Sequence, residues 1–348
     1  SSHQANEKTM QKIDIFNHIF PEPFNKLMMQ VAGDFKDIGQ RVRGIPMLVD
    51  LDERFRVMDQ FGPDYRQILS LASPPLEVLG GPEVSTQLAQ AANDGMAELV
   101  QRHPDRFPGF VASLPMNASE GIVTEAHRAV NDLGACGVQV FTNINGQPLT
   151  APEFRPLFGA MAEHDLPIWM HPARGASFTD YLTETSSKYE IWWTFGWPYE
   201  TSATMARIVF EGLLNDYPSL KIITHHMGGM VPYFEGRVGP GWDQLGSRTS
   251  DENLGAVLKR LETRPIDLFR MFYADTAVFG SRAATICGIS FFGADHVVFA
   301  SDSPFDPEKG PMYIRETIKI IDELELSETD RDKIYRANAV RLLKLKDR

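Results

Sequence analysis

Eight short runs rich in apolar and β-branched residues alternate with longer amphipathic stretches along this chain. The runs are KIDIFNHIF (12–20), YRQILSLAS (65–73), FPGFVASLP (107–115), CGVQVFT (136–142), PIWMHP (167–172), LKIITHH (220–226), FRMFYADTA (269–277) and HVVFASD (296–302). Between them, 84–103, 119–134, 200–217 and 312–324 carry apolar residues at helical spacing. A strand followed by a helix predicts parallel pairing, because parallel neighbours need a long crossover connection. Eight such units predict an α/β protein and, within that class, a (β/α)8 TIM barrel. A doubly wound open sheet is the alternative. Neither a Gly-x-Gly-x-x-Gly nor a Gly-x-x-x-x-Gly-Lys pattern follows the first run, so a nucleotide-binding version has no support.

With 348 residues, 43% of them hydrophobic, the chain can bury a large core, and one barrel domain over 12–348 is expected. The polar residues 1–11 are expected to be a flexible arm. Two stretches exceed the bare rhythm: 22–62 after the first strand and 173–199 after the fifth. The second holds Trp192, Trp193, Phe195, Trp197 and Tyr199. Both would sit at the strand C-termini, the face on which barrel active sites are built. Near the end, Ser327 followed by Asp330 reads as a helix N-cap.

The net charge of −12 argues against nucleic acid or an anionic membrane as partner, since both are polyanions. It leaves room for a local positive pocket for a small carboxylic acid. No run of 18 apolar residues is present, so no membrane helix is expected. The two cysteines, Cys136 and Cys287, are far apart in apolar surroundings. They read as buried free thiols and suggest a reducing cytoplasm.

Chemistry-bearing residues recur where the runs end: His18, His171, the pair His225 and His226, and Asp302. A single histidine at a strand end is most often a hydrogen-bonded structural residue, and Asp302 alone could cap the next helix. Four such ends together are another matter. Each buried unpaired polar group costs roughly 1–3 kcal/mol, so these groups are expected to satisfy one another around something. A divalent metal does this economically, since imidazoles with a carboxylate suit Zn²⁺, Mn²⁺ or Fe²⁺. His225 and His226 are strand neighbours and should point to opposite sides, which makes one of them structural.

These residues resemble the amidohydrolase superfamily in its decarboxylase branch, and look like those of the 2-amino-3-carboxymuconate-6-semialdehyde decarboxylases. The resemblance runs through IDIFNHIFP, VMDQFG, ILSLAS, RFPGFVASLPM, DLGACGVQVFT, WMHPA, HHMGGMVPYFEGR and FASDSPF. It implies one divalent ion, Zn²⁺ first and Mn²⁺ second, held by His18, His171 and Asp302. In that family the first strand carries His-x-His or Glu-x-His. This chain has Phe16 at the first of those positions, and a phenyl ring cannot ligate a metal. Asn17 faces the other way on a regular strand and Asp14 lies one step deeper. The expectation is that the fourth protein ligand is lost and that Phe16 narrows the pocket or lies against a planar substrate.

The resemblance further implies that His226 is the acid–base residue, with Asp302 a ligand, a base or both. Arg237, in FEGR, would bind a substrate carboxylate across a subunit contact in a homodimer or larger homo-oligomer. Arg43 would be a second carboxylate binder, with Arg41 as its alternative. Trp192 and Trp193 would pack over the substrate. The leading expectation is therefore a metal-dependent, non-oxidative decarboxylase of an aromatic or dienoic acid. A hydrolase or hydratase of ring-cleavage products or lactones on the same scaffold is the second. A degenerate barrel that binds an acid without turnover, the reading Phe16 favours, is the third.

Overall fold

The computed structural model describes residues 10–31, 42–249 and 252–346. Within these residues the eight expected runs all form strands: β1 (Lys12–Ile19), β2 (Tyr65–Leu71), β3 (Gly109–Phe110), β4 (Val138–Phe141), β5 (Ile168–His171), β6 (Ile222–Thr224), β7 (Tyr273–Asp275) and β8 (Val297–Val298). They make an α/β structure with two sheets, in the orders β1-β2-β3 and β8-β7-β6-β5-β4, parallel at every pairing. A small antiparallel hairpin pairs 143–144 with 147–148. Every residue of β1 and of β5 is buried, as befits parallel strands covered on both faces.

Backbone hydrogen bonds join the two sheets at both ends. On one side Ala112 N–H donates to the Gly137 carbonyl at 3.0 Å and Gln139 N–H to the Ala112 carbonyl at 2.8 Å. On the other, Ile15 N–H reaches the Phe299 carbonyl, Asp302 N–H the Phe16 carbonyl and His18 N–H the Ser303 carbonyl, at 2.8–3.0 Å. Gly137 at the first seam has φ +156°, and a Cβ there would lie 2.2 Å from the Pro167 carbonyl oxygen, so no larger residue fits.

Between strands of both sheets lies a compact apolar cluster that includes Ile13, Phe16, Ile68, Trp169, Ile223 and Val298. Trp169 spans it, donating its indole N–H to the Ile15 carbonyl at 3.1 Å. Leu342 and Leu343 of the helix Asn338–Leu343 belong to the same cluster. The larger core lies between the strands and the crossover helices, among them Pro82–Arg102, Gly121–Asn131, Gly196–Phe210 and Pro311–Glu323. These start close to where the apolar spacing places them. Ser327 caps its helix as expected, its hydroxyl accepting from Asp330 N–H at 3.1 Å.

Three expectations are adjusted here. The arm expected over 1–11 falls on undescribed residues up to 9, but Met10 packs on the core and Gln11 donates to Asp64 at 2.5 Å, so its last two residues are anchored. The strand expected over 269–277 is shortened because Pro265–Phe269 is helical, its proline suiting the first turn. The pairing of β1 with β2 shifts register between Asp14 and Asn17. A bulge there lets Asn17 donate to both the Asp14 and Ile68 carbonyls while Phe16 turns into the space between the sheets.

Removing the indole that ties β5 to β1 should be costly. Trp169→Ala is expected to lower unfolding free energy by about 3–5 kcal/mol, the range for deleting a large buried aromatic. Urea denaturation followed by circular dichroism checks this, and a loss below about 1 kcal/mol would contradict the bridging role.

Candidate metal and acid–base centre

The C-terminal ends of β1, β5, β6, β7 and β8 deliver five imidazole and carboxylate groups to one point, together with a sixth group behind them. His18 ends β1 and His171 ends β5. His225 and His226 follow β6, Asp275 ends β7 and Asp302 follows β8. All but His226 are essentially buried, and His226 is nearly so.

Asp302 is the hub. Its Oδ1 lies 2.7 Å from His18 Nε2 and 3.4 Å from His225 Nε2, and its Oδ2 lies 3.3 Å from His226 Nε2. It sits at φ +63°, a left-handed conformation that marks a constrained position rather than a helix cap. Burial pushes its carboxyl up. The His225 charge and the hydrogen bonds of neighbouring imidazoles outweigh burial and hold it well below the usual carboxylate range. It is therefore ionised.

Each imidazole is aimed by a bond on its far side. His171 Nδ1–H donates to the Pro172 carbonyl at 2.6 Å, leaving Nε2 to face the centre. His18 Nδ1 lies 3.2 Å from the Ser70 hydroxyl, which itself donates to the Asn17 carbonyl. His18 is also held through its backbone, because the buried Arg54 donates to the His18 carbonyl and reaches Asn17 and Gln67 at 3.2 and 2.7 Å. Burial lowers the pKa of His18, and burial with the neighbouring imidazoles lowers that of His171 strongly, so both are neutral and able to ligate.

The two neighbouring histidines do not diverge as strand alternation predicts. Four consecutive residues, His226 to Gly229, have positive φ, so the strand ends in a left-handed turn. Both rings then fall on one side, stacked with centroids 3.6 Å apart, and both reach Asp302. A Cβ at Gly229 would lie 2.5 Å from the Pro198 carbonyl, so this close approach needs glycine. His225 is fixed from behind by Asp275, which lies 2.6 Å from its Nδ1 and also accepts from the backbone N–H groups of His226 and Ala277. Burial alone would lower the His225 pKa, but Asp275 and Asp302 together carry it up to about 10.

Phe16 stacks on His225 with centroids 4.4 Å apart and meets His18 edge-on at 4.8 Å, so it forms the floor of the centre. Asp14 stays out of it: it accepts from the Ser301 N–H and hydroxyl and from the Tyr65 hydroxyl. Beside His171 lies a cavity of about 610 Å³ lined by Glu77, Phe141, Pro172, Arg174, Phe178, Trp192 and Trp197 among others. Trp197 packs edge-on to His171 at 5.5 Å and parallel to His226 at 6.4 Å.

Not every expected residue is here. Trp192 lines the cavity, whereas Trp193 is 37% exposed and touches it through an edge contact with Trp197. Arg237 is exposed and lines a separate groove with Tyr199 and Trp242. Arg43 is exposed, and Arg41 lies outside the described residues. The sequence marks His225 but strand alternation sets it aside, and Asp275, Arg54, Arg174 and Glu77 went unmarked. Asp275 lies near the end of the expected run FRMFYADTA, as His18 does in KIDIFNHIF, and so carried the same signal.

Buried imidazoles and carboxylates presented from the ends of parallel strands make a candidate metal site in an α/β protein. The donor set fits a divalent cation: the ligand atoms of His18, His171 and His225, and those of His225, His226 and Asp302, each lie within 4.8 Å of one another. An amidohydrolase family profile matches residues 14–345, and the chain belongs to that family. It is 30% identical to the gamma-resorcylate decarboxylase of Rhizobium radiobacter, across 97% of this chain and 99% of that protein. It is 27% identical to the 2-amino-3-carboxymuconate-6-semialdehyde decarboxylase of Dictyostelium discoideum, across 96% and 92%. The crystal structure of a dihydroxybenzoic acid decarboxylase from Polaromonas, with manganese and the inhibitor 2-nitroresorcinol, superposes with a TM-score of 0.76 at 28% identity, covering 98% of each chain.

The centre predicts metal dependence. His171→Ala should lose the divalent ion bound by the wild type while retaining its fold. Plasma mass spectrometry of the purified proteins, with circular dichroism as the folding control, checks both points.

Proposed function

We propose that this protein is a divalent-metal-dependent, non-oxidative decarboxylase of a planar aromatic or dienoic carboxylic acid, a carbon–carbon lyase. The observation that carries the reading is the ionised, buried Asp302 among strand-end imidazoles, one of which, His171, packs against Phe141 and Trp197 in the wall of a cavity. The decarboxylase names of full-length relatives in the same family support it.

In this reading His18, His171 and Asp302 hold the ion, with Zn²⁺ expected and Mn²⁺ the alternative, the latter supported by the manganese in the Polaromonas relative. When bound, the cation supplies Lewis-acid stabilisation of negative charge on the substrate. The chain's own residues do the rest. Trp197 and Phe141 stack on a flat ring and keep water away from it. Arg174, in the cavity wall, offers a guanidinium to the carboxylate that leaves, though Glu200 at 3.5 Å competes for it. Asp302 or His226, whose Oδ2 and Nε2 lie 3.3 Å apart, delivers a proton to the carbon from which CO₂ departs. Electrons of the broken C–C bond pass into the conjugated system and return as the new C–H bond.

The same reading closes the eight strands into one (β/α)8 barrel domain over 12–348, with insertions after strands one and five, a view the hydrogen bonds at both seams support. Since Arg237 is exposed and outside its own chain's cavity, its action on substrate requires a homodimer or larger homo-oligomer. Arg43 is a second carboxylate binder on the same logic. The free thiols Cys136 and Cys287 suit a reducing cytoplasm.

Two measurements test this. Incubating the metal-loaded protein with hydroxybenzoic and muconate-type acids should release CO₂ without net uptake of labelled water; stoichiometric water incorporation would instead make it a hydrolase or hydratase. Trp197→Ala should reduce kcat/KM by about tenfold or more, the scale of one lost aromatic contact beside the reacting group. An unchanged kcat/KM would remove the stacking role.

A further inference from the structure

The chain's departure at Phe16 leaves a centre that lacks a first-strand partner for His18, yet the structure places three imidazoles, not two, around Asp302. We propose that His225 is itself a metal ligand and replaces the donor that Phe16 cannot provide, giving a ligand set of His18, His171, His225 and Asp302 with Asp275 as the orienting carboxylate. This rests on the metal-dependent reading above and adds to it a donor which strand alternation had assigned to the far side of the sheet.

Four observations converge on His225. Its ring is wholly buried, and its Nδ1 is committed to Asp275 at 2.6 Å, so only Nε2 is free to face the centre. That Nε2 has no hydrogen-bond partner among the described residues; Asp302 Oδ1 lies 3.4 Å away but outside hydrogen-bonding geometry. A buried nitrogen aimed at a carboxylate and left without a bond is costly unless something else occupies the shared point. Next, His225 is the one residue common to both ligand clusters, so a cation bound by either cluster touches it. Lastly, Phe16 lies parallel to the His225 ring at 4.4 Å and closes off its other face. The phenyl group therefore occupies the space of a strand-one ligand and fixes the imidazole that takes over.

Without a cation the two carboxylates keep the His225 ring protonated; a cation at the shared point takes the place of the Nε2 proton, which leaves to solvent, while the carboxylate behind His225 raises the ligand's basicity and fixes its tautomer. His171 has a backbone carbonyl in that position and His18 a hydroxyl, so His225 has the strongest orienting partner of the three. His226, stacked on His225 and 3.3 Å from Asp302, remains available for proton transfer. The left-handed turn makes this division possible, because it allows adjacent residues to serve one centre in different roles.

The test is metal affinity of the full-length protein, with Zn²⁺ alone as the probe, in competition with a chromophoric chelator. His225→Ala should weaken binding by about 100-fold or more, and Asp275→Asn by about 10–100-fold, the range for loss of an orienting partner. The double variant Phe16→His/His225→Ala should recover most of the affinity by restoring a first-strand donor. X-ray absorption of the Zn²⁺-loaded wild type should show three imidazoles, and His225→Ala two, which settles the matter even if one variant folds poorly. Two imidazoles in the wild type, or unchanged affinity in His225→Ala while His171→Ala loses the metal, would overturn the assignment of His225. Retention of metal by His171→Ala would instead overturn the metal-centre reading on which it rests.

Discussion

The seam between the first and last strands is the contact on which the rest of the structure depends. Asp302 N–H bonds the Phe16 carbonyl and His18 N–H bonds the Ser303 carbonyl. Two segments 284 residues apart in sequence thereby bring an imidazole and a carboxylate to 2.7 Å. Asp14 reinforces this from below, its carboxyl gathering the Ser301 N–H and hydroxyl and the Tyr65 hydroxyl while burial raises its pKa to about 6. Arg54 does the same from the side, donating to the His18 carbonyl from within the core, where burial lowers its pKa to about 10. Neither residue touches the centre. Both decide where its first imidazole lies, and for this reason the strand-one end is rigid enough to carry chemistry.

Around that seam the polar groups form two tiers. The inner tier of His18, His171, His225, His226 and Asp302 shares a few ångströms of space. The outer tier of Ser70, the Pro172 carbonyl and Asp275 sets which nitrogen of each ring faces inward. Buried polar networks are stable only when nearly every member is satisfied, since each orphan costs roughly 1–3 kcal/mol. The outer tier is complete and the inner one contains the unbonded His225 Nε2. The open valence is thus confined to the point where a ligand belongs.

Much of this was legible in the sequence because it depends on local periodicity. Eight apolar runs became eight parallel strands, and the ends of KIDIFNHIF, PIWMHP and HVVFASD supplied His18, His171 and Asp302 where a strand-end argument places them. What was not legible depends on departures from regular geometry. Alternation holds only for a continuing strand, and the chain leaves the strand at His226 through a left-handed turn whose two non-glycine members give no compositional warning. The sequence therefore set His225 aside, although it faces the same carboxylate as its neighbour. Arg174 comes from a loop and Glu77 from the one-turn helix Leu76–Leu79, too short for periodicity to mark; Glu77 shows itself only in three dimensions, as a buried carboxyl in the cavity wall that burial carries to about 7. Arg237 shows the opposite difficulty, since its motif is plain in sequence while its position is exposed on this chain.

The left-handed turn after β6 also bears on how such a centre can change over generations. A histidine arising at 225, beside one already at 226, adds a donor without displacing any. While the first strand still held its own ligand, that addition would have been redundant and therefore tolerated. Given the proposed ligation by His225, position 16 is released to accept an aromatic residue while binding is sustained. A backbone that turns two successive side chains to the same side thus gives evolution a spare part at the active centre, and lets donor identity move from one strand to another without an inactive ancestor in between.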